Sequence, residues 1–574
     1  MRADSRTLAP YAAFALTLLA FLPAARYPFL NWDDAANLPL NPRFQGLTLE
    51  HLRWMFTTHF RGPYQPLSWL SYALDYAAGG LNPQGYHLTN IVLHALNAGL
   101  FCAVAATILE AAFGAALPPL SLSLVSGFCA LFFSLHPLRV ESVAWVTERR
   151  DVLSGLFFLL ALRSYLQAVK AAGRPRLGLV LVFFALALLS KVTAIGLIWA
   201  LLALDVSALK RLPPDPRRWT RPPHRAVLLE KLPFLILGAV LALVNLRGFA
   251  TGDLNAGHYG PLQRAAIFAY GLGFYLLKTA WPSGLSPYYL LPVHLKTIAG
   301  ALLFHAAVAA SATAAAVKLR RRWPALLIAW LCYALILAPV GGLAQNGQQL
   351  AADRYSYLAC LPFALLAGGA LALLARAGKK AAAAGAGALI LLCFAGLTVA
   401  QTRLWRDDVA LWTRAVELSP NNYLAQSNLA TEFFTRGDDE RARRGYEAAL
   451  RLSPRDAQAH LNLGVLYERH GEYPAALAHD RAALALNPSD QEARNNLAVV
   501  LIKQGDWRGA ATQFEAMLES RPDFAQARFN LGLLLCLHGH RAQGLPHLRR
   551  ALELQPDLIE RLPPGAFPEL KPAH

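Results

Sequence analysis

Directly after an uncharged apolar run the chain reads Asn31-Trp32-Asp33-Asp34, two adjacent carboxylates beside a tryptophan. With Tyr27 close by, the aromatic residues suit a membrane interface, so the pair is expected at the surface of a bilayer. Such carboxylates either close a helix in an Asx turn or act as a general base on a hydroxyl. A second polar segment, 136–151, packs Arg139, Arg149 and Arg150 with Glu141, Glu148 and Asp151. It reads as a salt-bridged surface helix or as a phosphate clamp, because a guanidinium offers planar paired donors and stays charged in a partly dry site. In the clamp reading Arg139 takes the phosphate while the other two arginines pair with Glu148 and Asp151. A third polar run carries Gln345, Asn346, Gln348 and Gln349 and then Asp353-Arg354-Tyr355. Lys191 stands between two apolar runs, where it either snorkels to the interface or, like Arg354, meets a phosphate.

The elements that must position these groups are mostly apolar. A chain of 574 residues with 55% hydrophobic and 16% charged residues and a mean hydropathy of +0.33 is too apolar for a single soluble domain. Twelve apolar runs recur, near 7–25, 89–109, 120–135, 152–169, 177–190, 192–206, 232–246, 264–281, 298–317, 323–340, 357–375 and 381–400. The fifth and sixth are nearly continuous. As one helix they would be about 42 Å long against a hydrocarbon core of about 30 Å, so they are split at Ser190-Lys191.

From Arg403 onward there are 21 Lys+Arg against 22 Asp+Glu, which leaves 33 against 14 before it. The basic excess therefore lies in the hydrophobic part, which argues against nucleic acid and for cytoplasmic loops and headgroups. Basic clusters at Arg2/Arg6, Lys170/Arg174/Arg176, 210–231, 318–322 and Arg376/Lys379/Lys380 mark cytoplasmic loops. Three runs fall between the third and fourth clusters where an even number must cross. The run 264–281, with Arg264, Lys278, Gly271 and Gly273, is the one expected to lie in the interface or re-enter. About 11 crossings remain, with the N-terminus inside and everything after Gln401 outside. The external segments are then 26–88, 136–151, 247–263 and 341–356. Two short amphipathic helices within the first, near 47–56 and 65–76, are expected on the membrane surface. The opening 7–25 run also has the look of a signal peptide, with Pro23-Ala24-Ala25 as a cleavage site. The cysteines at 102, 129, 332, 360, 393 and 536 form no CxxC pair, so neither a disulfide framework nor a zinc site is indicated.

Pro420, Pro454, Pro488, Pro522 and Pro556 are spaced by 34 residues, as are Asn428, Asn462, Asn496 and Asn530, and Gly437, Gly471, Gly505 and Gly539. That period belongs to the tetratricopeptide repeat, two helices per unit with a glycine turn between them. Residues 403–574 are therefore expected to form four repeats and a cap, an α-solenoid whose concave face holds extended peptides or partner helices. Its histidines lack ligand spacing and read as surface or packing residues. Residues 1–402 form the membrane domain, and the whole fold is all-α.

The Asp33-Asp34 pair, Tyr64-Gln65-Pro66-Leu67-Ser68-Trp69-Leu70, Leu81-Asn82-Pro83, Gly85-Tyr86-His87-Leu88-Thr89-Asn90, the 136–151 segment, Ser190-Lys191 and Ala352-Asp353-Arg354-Tyr355 together resemble the transmembrane and tetratricopeptide-repeat O-mannosyltransferase family and its bacterial relatives. The resemblance implies a GT-C glycosyltransferase fold and a polyprenyl-phosphate sugar donor in place of any other cofactor. It also implies an inverting single displacement centred on the acidic pair. Carried over, Asp33 is the base and Asp34 orients acceptor or donor. Arg139, Arg354 and Lys191 are candidates for the donor phosphate, and Tyr64, His87, His136, Glu141 and Asp353, which lie in the same motifs, for substrate contact. The acceptor expected is a Ser or Thr hydroxyl of a protein presented by the repeats. The high Ala, Leu and Arg content suits a bacterial inner membrane with the repeats in the periplasm. Two other readings are an envelope glycan or lipid as acceptor, and a non-catalytic scaffold whose repeats recruit envelope partners.

Overall fold

The computed structural model describes residues 5–170, 175–250, 259–292, 294–343, 347–564 and 566–570. Arg2, Arg174, Gln345 and Asn346 lie outside them. The chain divides into two compact units, Met1–Arg414 and Ala415–His574. Both are built from helices, with one two-stranded ribbon pairing Tyr289–Leu290 to Gln349–Ala351.

Among the described residues of the first unit six helices are long and apolar enough to cross a membrane: Leu8–Arg26, Pro83–Ala116, Val146–Lys170, His224–Gly248, Leu295–Leu319 and Lys380–Trp405. Two bent pairs, Pro119–Ser134 with Pro137–Ala144 and Asp353–Ala359 with Leu361–Arg376, raise the number to eight if each is one span. These candidates do not confirm the eleven crossings expected, and several apolar runs form helices shorter than a span. Gly178–Ser190 stops at Lys191, whose backbone is extended, and the chain resumes as the 3-10 turn Val192–Gly196 and helix Leu197–Val206. The run near 264 is a helix, Pro261–Ala280, and is not among the candidate spans. Its glycine is used for close packing: a Cβ at Gly273 would lie 2.1 Å from the carbonyl oxygen of His305 on the Ala299–Leu319 helix.

The first polar segment forms a folded layer with its own core. Helices Leu49–Thr57 and Pro66–Gly79 close a core of Leu38, Phe44, Met55, Trp69, Tyr72, Tyr86 and Val146, each no more than 1% exposed. Val146 ties that core to the second polar segment.

The second unit holds four helix pairs: Tyr423–Thr435 with Asp439–Leu452, Ala457–Arg469 with Tyr473–Leu486, Gln491–Lys503 with Trp507–Ser520, and Ala525–Leu537 with Arg541–Leu554. Gly437, Gly471, Gly505 and Gly539 all have φ between 76° and 85°, the left-handed turn that ends the first helix of each pair at no steric cost. In two of the pairs a residue of the second helix packs directly on a glycine of the first. In the fourth pair this is Leu548 on Gly532; in the second pair it is Asp480 on Gly464. Asp480 occupies the column of Tyr446, Phe514 and Leu548, is fully buried, and has no hydrogen-bond partner on either oxygen. Burial, and secondarily Glu468, pushes its carboxyl up to about 7. A carboxyl raised from its ordinary value destabilises the fold progressively as pH rises from about 4 to about 7. Replacing Asp480 with Leu, as in the fourth repeat, should therefore stabilise the array by about 2–4 kcal/mol above pH 7 and by much less near pH 4. Hydrogen exchange of helices Ala457–Arg469 and Tyr473–Leu486 in the intact protein checks this, and equal gains at both pH values would contradict it.

Candidate active site

The Asp33-Asp34 pair opens a five-residue helix, Asp33–Asn37, and the two carboxylates have opposite surroundings. Asp34 is fully buried. Its Oδ1 accepts from the Thr147 backbone N at 2.8 Å and Thr147 Oγ1 at 2.5 Å, and its Oδ2 accepts from the Leu30 N at 3.2 Å. Burial pushes the Asp34 carboxyl up to about 7, with a small addition from Asp33, against the opposing hydrogen bonds from Thr147 and Leu30. Thr147 is in turn held by Asn37, whose Nδ2 donates to Oγ1 at 3.3 Å. The Tyr72 hydroxyl is shared between the carbonyls of Val146 and Thr147 at 3.0 and 3.1 Å.

Asp33 faces outward. Its side chain is 31% exposed and pairs with Arg61 Nη2 at 3.1 Å. Arg61 has φ 56°, a left-handed conformation that costs about 1–2 kcal/mol for a residue with a Cβ. The turn is kept because its neighbours are anchored on helix Leu232–Ala250: His59 Nε2 donates to the Val244 carbonyl at 2.9 Å and the Tyr64 N donates to Asn245 Oδ1 at 3.0 Å. The Tyr64 hydroxyl donates to the Phe56 carbonyl at 2.9 Å, so Tyr64 shapes this turn.

Glu141, Lys191 and Arg354 gather with Glu148, Arg150 and Asp151 in one largely buried ion cluster. Glu148 takes Arg150 Nε at 3.0 Å, Lys191 Nζ at 3.1 Å and Arg354 Nε at 3.2 Å. Lys191 also reaches Asp151 at 2.7 Å, and Arg354 bonds Glu141 through its side chain and, at 2.8 Å, its backbone N. Three carboxylates thus meet three cations. Burial of that many charges is tolerable only when each is paired.

The cluster revises several sequence expectations. Lys191 is an ion-pair partner at the helix break, only 12% exposed, and does not snorkel. Arg149 does not pair with Asp151: it bonds Asp75 at 2.7 Å, Ser71 at 2.8 Å and the Tyr86 carbonyl at 2.7 Å, and so ties the first polar segment to helix Arg149–Lys170. Glu141 is engaged by Arg354. His136 is buried with both nitrogens in use, Nδ1 capping the turn at Leu138 N and Nε2 bonding the Thr279 carbonyl at 3.1 Å. These two residues therefore hold the fold together. His87 is buried and bonds the Pro28 carbonyl at 3.3 Å, and Asp353, also buried, accepts from the Tyr289 hydroxyl at 2.9 Å.

Arg139 differs from the paired cations. It is 2% exposed and donates through Nη2 to Ser356 Oγ at 2.8 Å, while Nε and Nη1 lack a conventional acceptor. The Cys360 thiol alongside is only a weak one. Phe133 and Tyr357 cover the guanidinium at 5.4 and 5.6 Å. Tyr357 also lines a cavity of about 20 Å³ with Asp151, Lys191, Thr193, Arg354 and Tyr355, room for roughly one water. Two of the three phosphate candidates thus border one cavity, and the third lies behind its tyrosine. Among the described residues no group of three or more His, Cys, Asp or Glu is arranged to hold a metal ion.

Sequence reasoning did not single out Thr147 or Arg61. Thr147 lay within the quoted 136–151 segment but carries no charge to mark it. Arg61 was signalled only by the Gly62-Pro63 turn after it.

A tetratricopeptide-repeat family model matches residues 427–491 and 495–559. Among curated proteins, "Protein O-mannosyl-transferase tmtc2" of Xenopus laevis is 40% identical over 110 residues, 19% of this chain and 12% of that protein. "Protein O-mannosyl-transferase TMTC2" of Homo sapiens is 37% identical over the same length and shares. "Protein O-mannosyl-transferase Tmtc1" of Drosophila melanogaster is 37% identical over 134 residues, 23% of this chain and 14% of that protein. The matches thus span only about an eighth of those relatives' lengths. Among solved structures, the tetratricopeptide protein YrrB is 26% identical over 29% of this chain and 89% of its own, with a TM-score of 0.26. MamA is 22% identical over 26% of this chain and 89% of its own, with a TM-score of 0.25. With its apolar helices, its repeat array and the curated matches, the chain is a multi-pass membrane protein that is similar, over about a fifth of its length, to the TMTC protein O-mannosyl-transferases.

Proposed function

We propose that the chain is a membrane glycosyltransferase that moves a mannose-like sugar from a polyprenyl phosphate to a Ser or Thr hydroxyl of a protein. The reaction runs on the external face, the periplasm of a bacterial inner membrane, where the repeats hold the acceptor. The observation that carries the reading is the asymmetric acidic pair: Asp34 is closed in by Thr147 and Leu30, whereas Asp33 is open beside Arg61. The names of the relatives are consistent with it.

In this reading Asp33 takes the proton of the acceptor hydroxyl as its oxygen attacks the anomeric carbon. The bond from that carbon to the phosphate oxygen breaks on the opposite side, and its electron pair leaves with the polyprenyl phosphate. One displacement inverts the anomeric centre. Asp34 holds the turn that aims Asp33, and Arg139, the buried guanidinium with donors to spare, takes a phosphate oxygen. Lys191 and Arg354, already paired, border the path and contribute field more than direct bonds.

Arg139→Lys keeps the charge but loses the planar fork. It should raise the KM for donor about 10- to 100-fold with a smaller change in kcat, the loss expected for a charge-assisted bond. An unchanged KM would remove Arg139 from the donor site. The reading as a whole is tested by giving membranes that hold the protein a labelled polyprenyl-phosphate mannose. Label in the protein fraction supports it, and label confined to glycan or lipid would reassign the acceptor.

A further inference from the structure

The Asp33-Asp34 turn is gripped from a part of the chain nearly four hundred residues away. Successive amides of the turn go to two different carboxylates. The Leu30 N donates to Asp34 within the turn, and the Asn31 N donates to Asp408, at 2.9 Å to Oδ1 and 3.0 Å to Oδ2. Asp408 is 8% exposed and opens helix Asp408–Leu418, just past the last apolar helix. One turn further along that helix Trp412, 3% exposed, packs on Trp32 with ring centroids 5.1 Å apart. Trp32 also stacks on Trp145, at 4.3 Å and 14°, and meets Tyr288 edge-on at 6.0 Å, and Trp145 lies 5.9 Å from the buried Trp405.

Trp32 is the residue immediately before the acidic pair, so its ring position and the Asn31 amide together set where the pair begins. Asp34 is anchored through Thr147, while among the described residues the side chain of Asp33 pairs with the half-exposed Arg61 and is otherwise placed by the backbone that precedes it. We propose that Asp408 and Trp412 are positioning residues for Asp33, a clamp supplied by the segment after the last apolar helix. This rests on the transferase reading above. A displacement of about 1 Å at a reacting group can cost about 10²-fold in rate, so a clamp on the preceding residue acts on kcat. One consequence is that removing everything after Asp407 strips the clamp together with the repeats, and activity lost in such a truncation says nothing by itself about acceptor binding.

The test uses the full chain in detergent with a synthetic polyprenyl-phosphate mannose and a Ser/Thr peptide. Asp408→Ala and Trp412→Ala should each lower kcat by about 10- to 100-fold while the KM for donor stays within about threefold. Asp408→Asn, which keeps one acceptor oxygen, and Trp412→Phe should recover most of the rate. In parallel, amide exchange in a peptide covering 28–37 should speed by about tenfold or more in Asp408→Ala. Normal kcat in both Ala variants, or exchange as slow as in the unmodified protein, overturns the clamp. A rise in KM alone would assign the segment to substrate binding and also overturns it. Asp33→Asn serves as the reference: full activity there rejects the transferase mechanism, while the exchange result still decides whether the clamp exists.

Discussion

Replacing Glu148 with Gln should destabilise the membrane unit by about 3–5 kcal/mol, the usual consequence of removing one member of a buried charge network. The side chain is fully buried and touches Arg150, Lys191 and Arg354. Without its charge three cations face only Glu141 and Asp151. The amide retains the shape and some hydrogen bonding, so the loss measures the charge. Those cations come from helix Arg149–Lys170, from the break before Val192–Gly196, and from the turn Asp353–Tyr355. Losing Glu148 therefore loosens three elements at once. Thermal unfolding in detergent reads the effect, and the double variant Glu148→Gln/Lys191→Met should recover part of it, because contacting sites are not additive. A Glu148→Gln protein that melts with the unmodified one would show that the cluster does not hold these elements together.

Asp33→Asn should reduce turnover by about 10²- to 10⁴-fold, the range for losing a general base, with donor binding largely kept. Asp34→Asn should also reduce it, for a different reason. The amide cannot accept both Thr147 donors and the Leu30 amide as a carboxylate does, so the turn relaxes. The two variants separate by pH. The Asp34 carboxyl is raised to about 7, so activity of the unmodified enzyme should fall as pH drops through about 7 and the Thr147 bonds weaken. In Asp34→Asn the residual rate should lose that limb of the profile. Retention of the limb in Asp34→Asn would assign it to another group.

Much of this arrangement was legible in the sequence because it is local. The placement of Asn31-Trp32-Asp33-Asp34 after an apolar run and the 34-residue spacing of Pro, Asn and Gly are read within a few dozen residues, and both elements stand where expected. Asp480 was equally visible as the break in a column otherwise filled by Tyr446, Phe514 and Leu548. The pairings were not legible. Nothing near Lys191 announces Glu148 and Asp151, nothing near Arg149 announces Asp75, and Asn31 is separated from Asp408 by 377 residues. The only hint was that Asp407-Asp408 follows the last apolar run as Asp33-Asp34 follows the first. The break at Ser190-Lys191 was legible from the length of the 177–206 run, whereas the pairing that holds it, Glu148 and Asp151 drawing Lys191 into the protein, was not.

The central claim, sugar transfer from a polyprenyl phosphate driven by Asp33, is tested most directly with the purified full chain, labelled polyprenyl-phosphate mannose and a Ser/Thr peptide. The account predicts label on the peptide hydroxyl, an anomeric configuration opposite to that of the donor, and loss of nearly all transfer in Asp33→Asn. Retained configuration, or equal transfer by Asp33→Asn, would contradict it, as would an intact donor and unlabelled peptide from a folded protein.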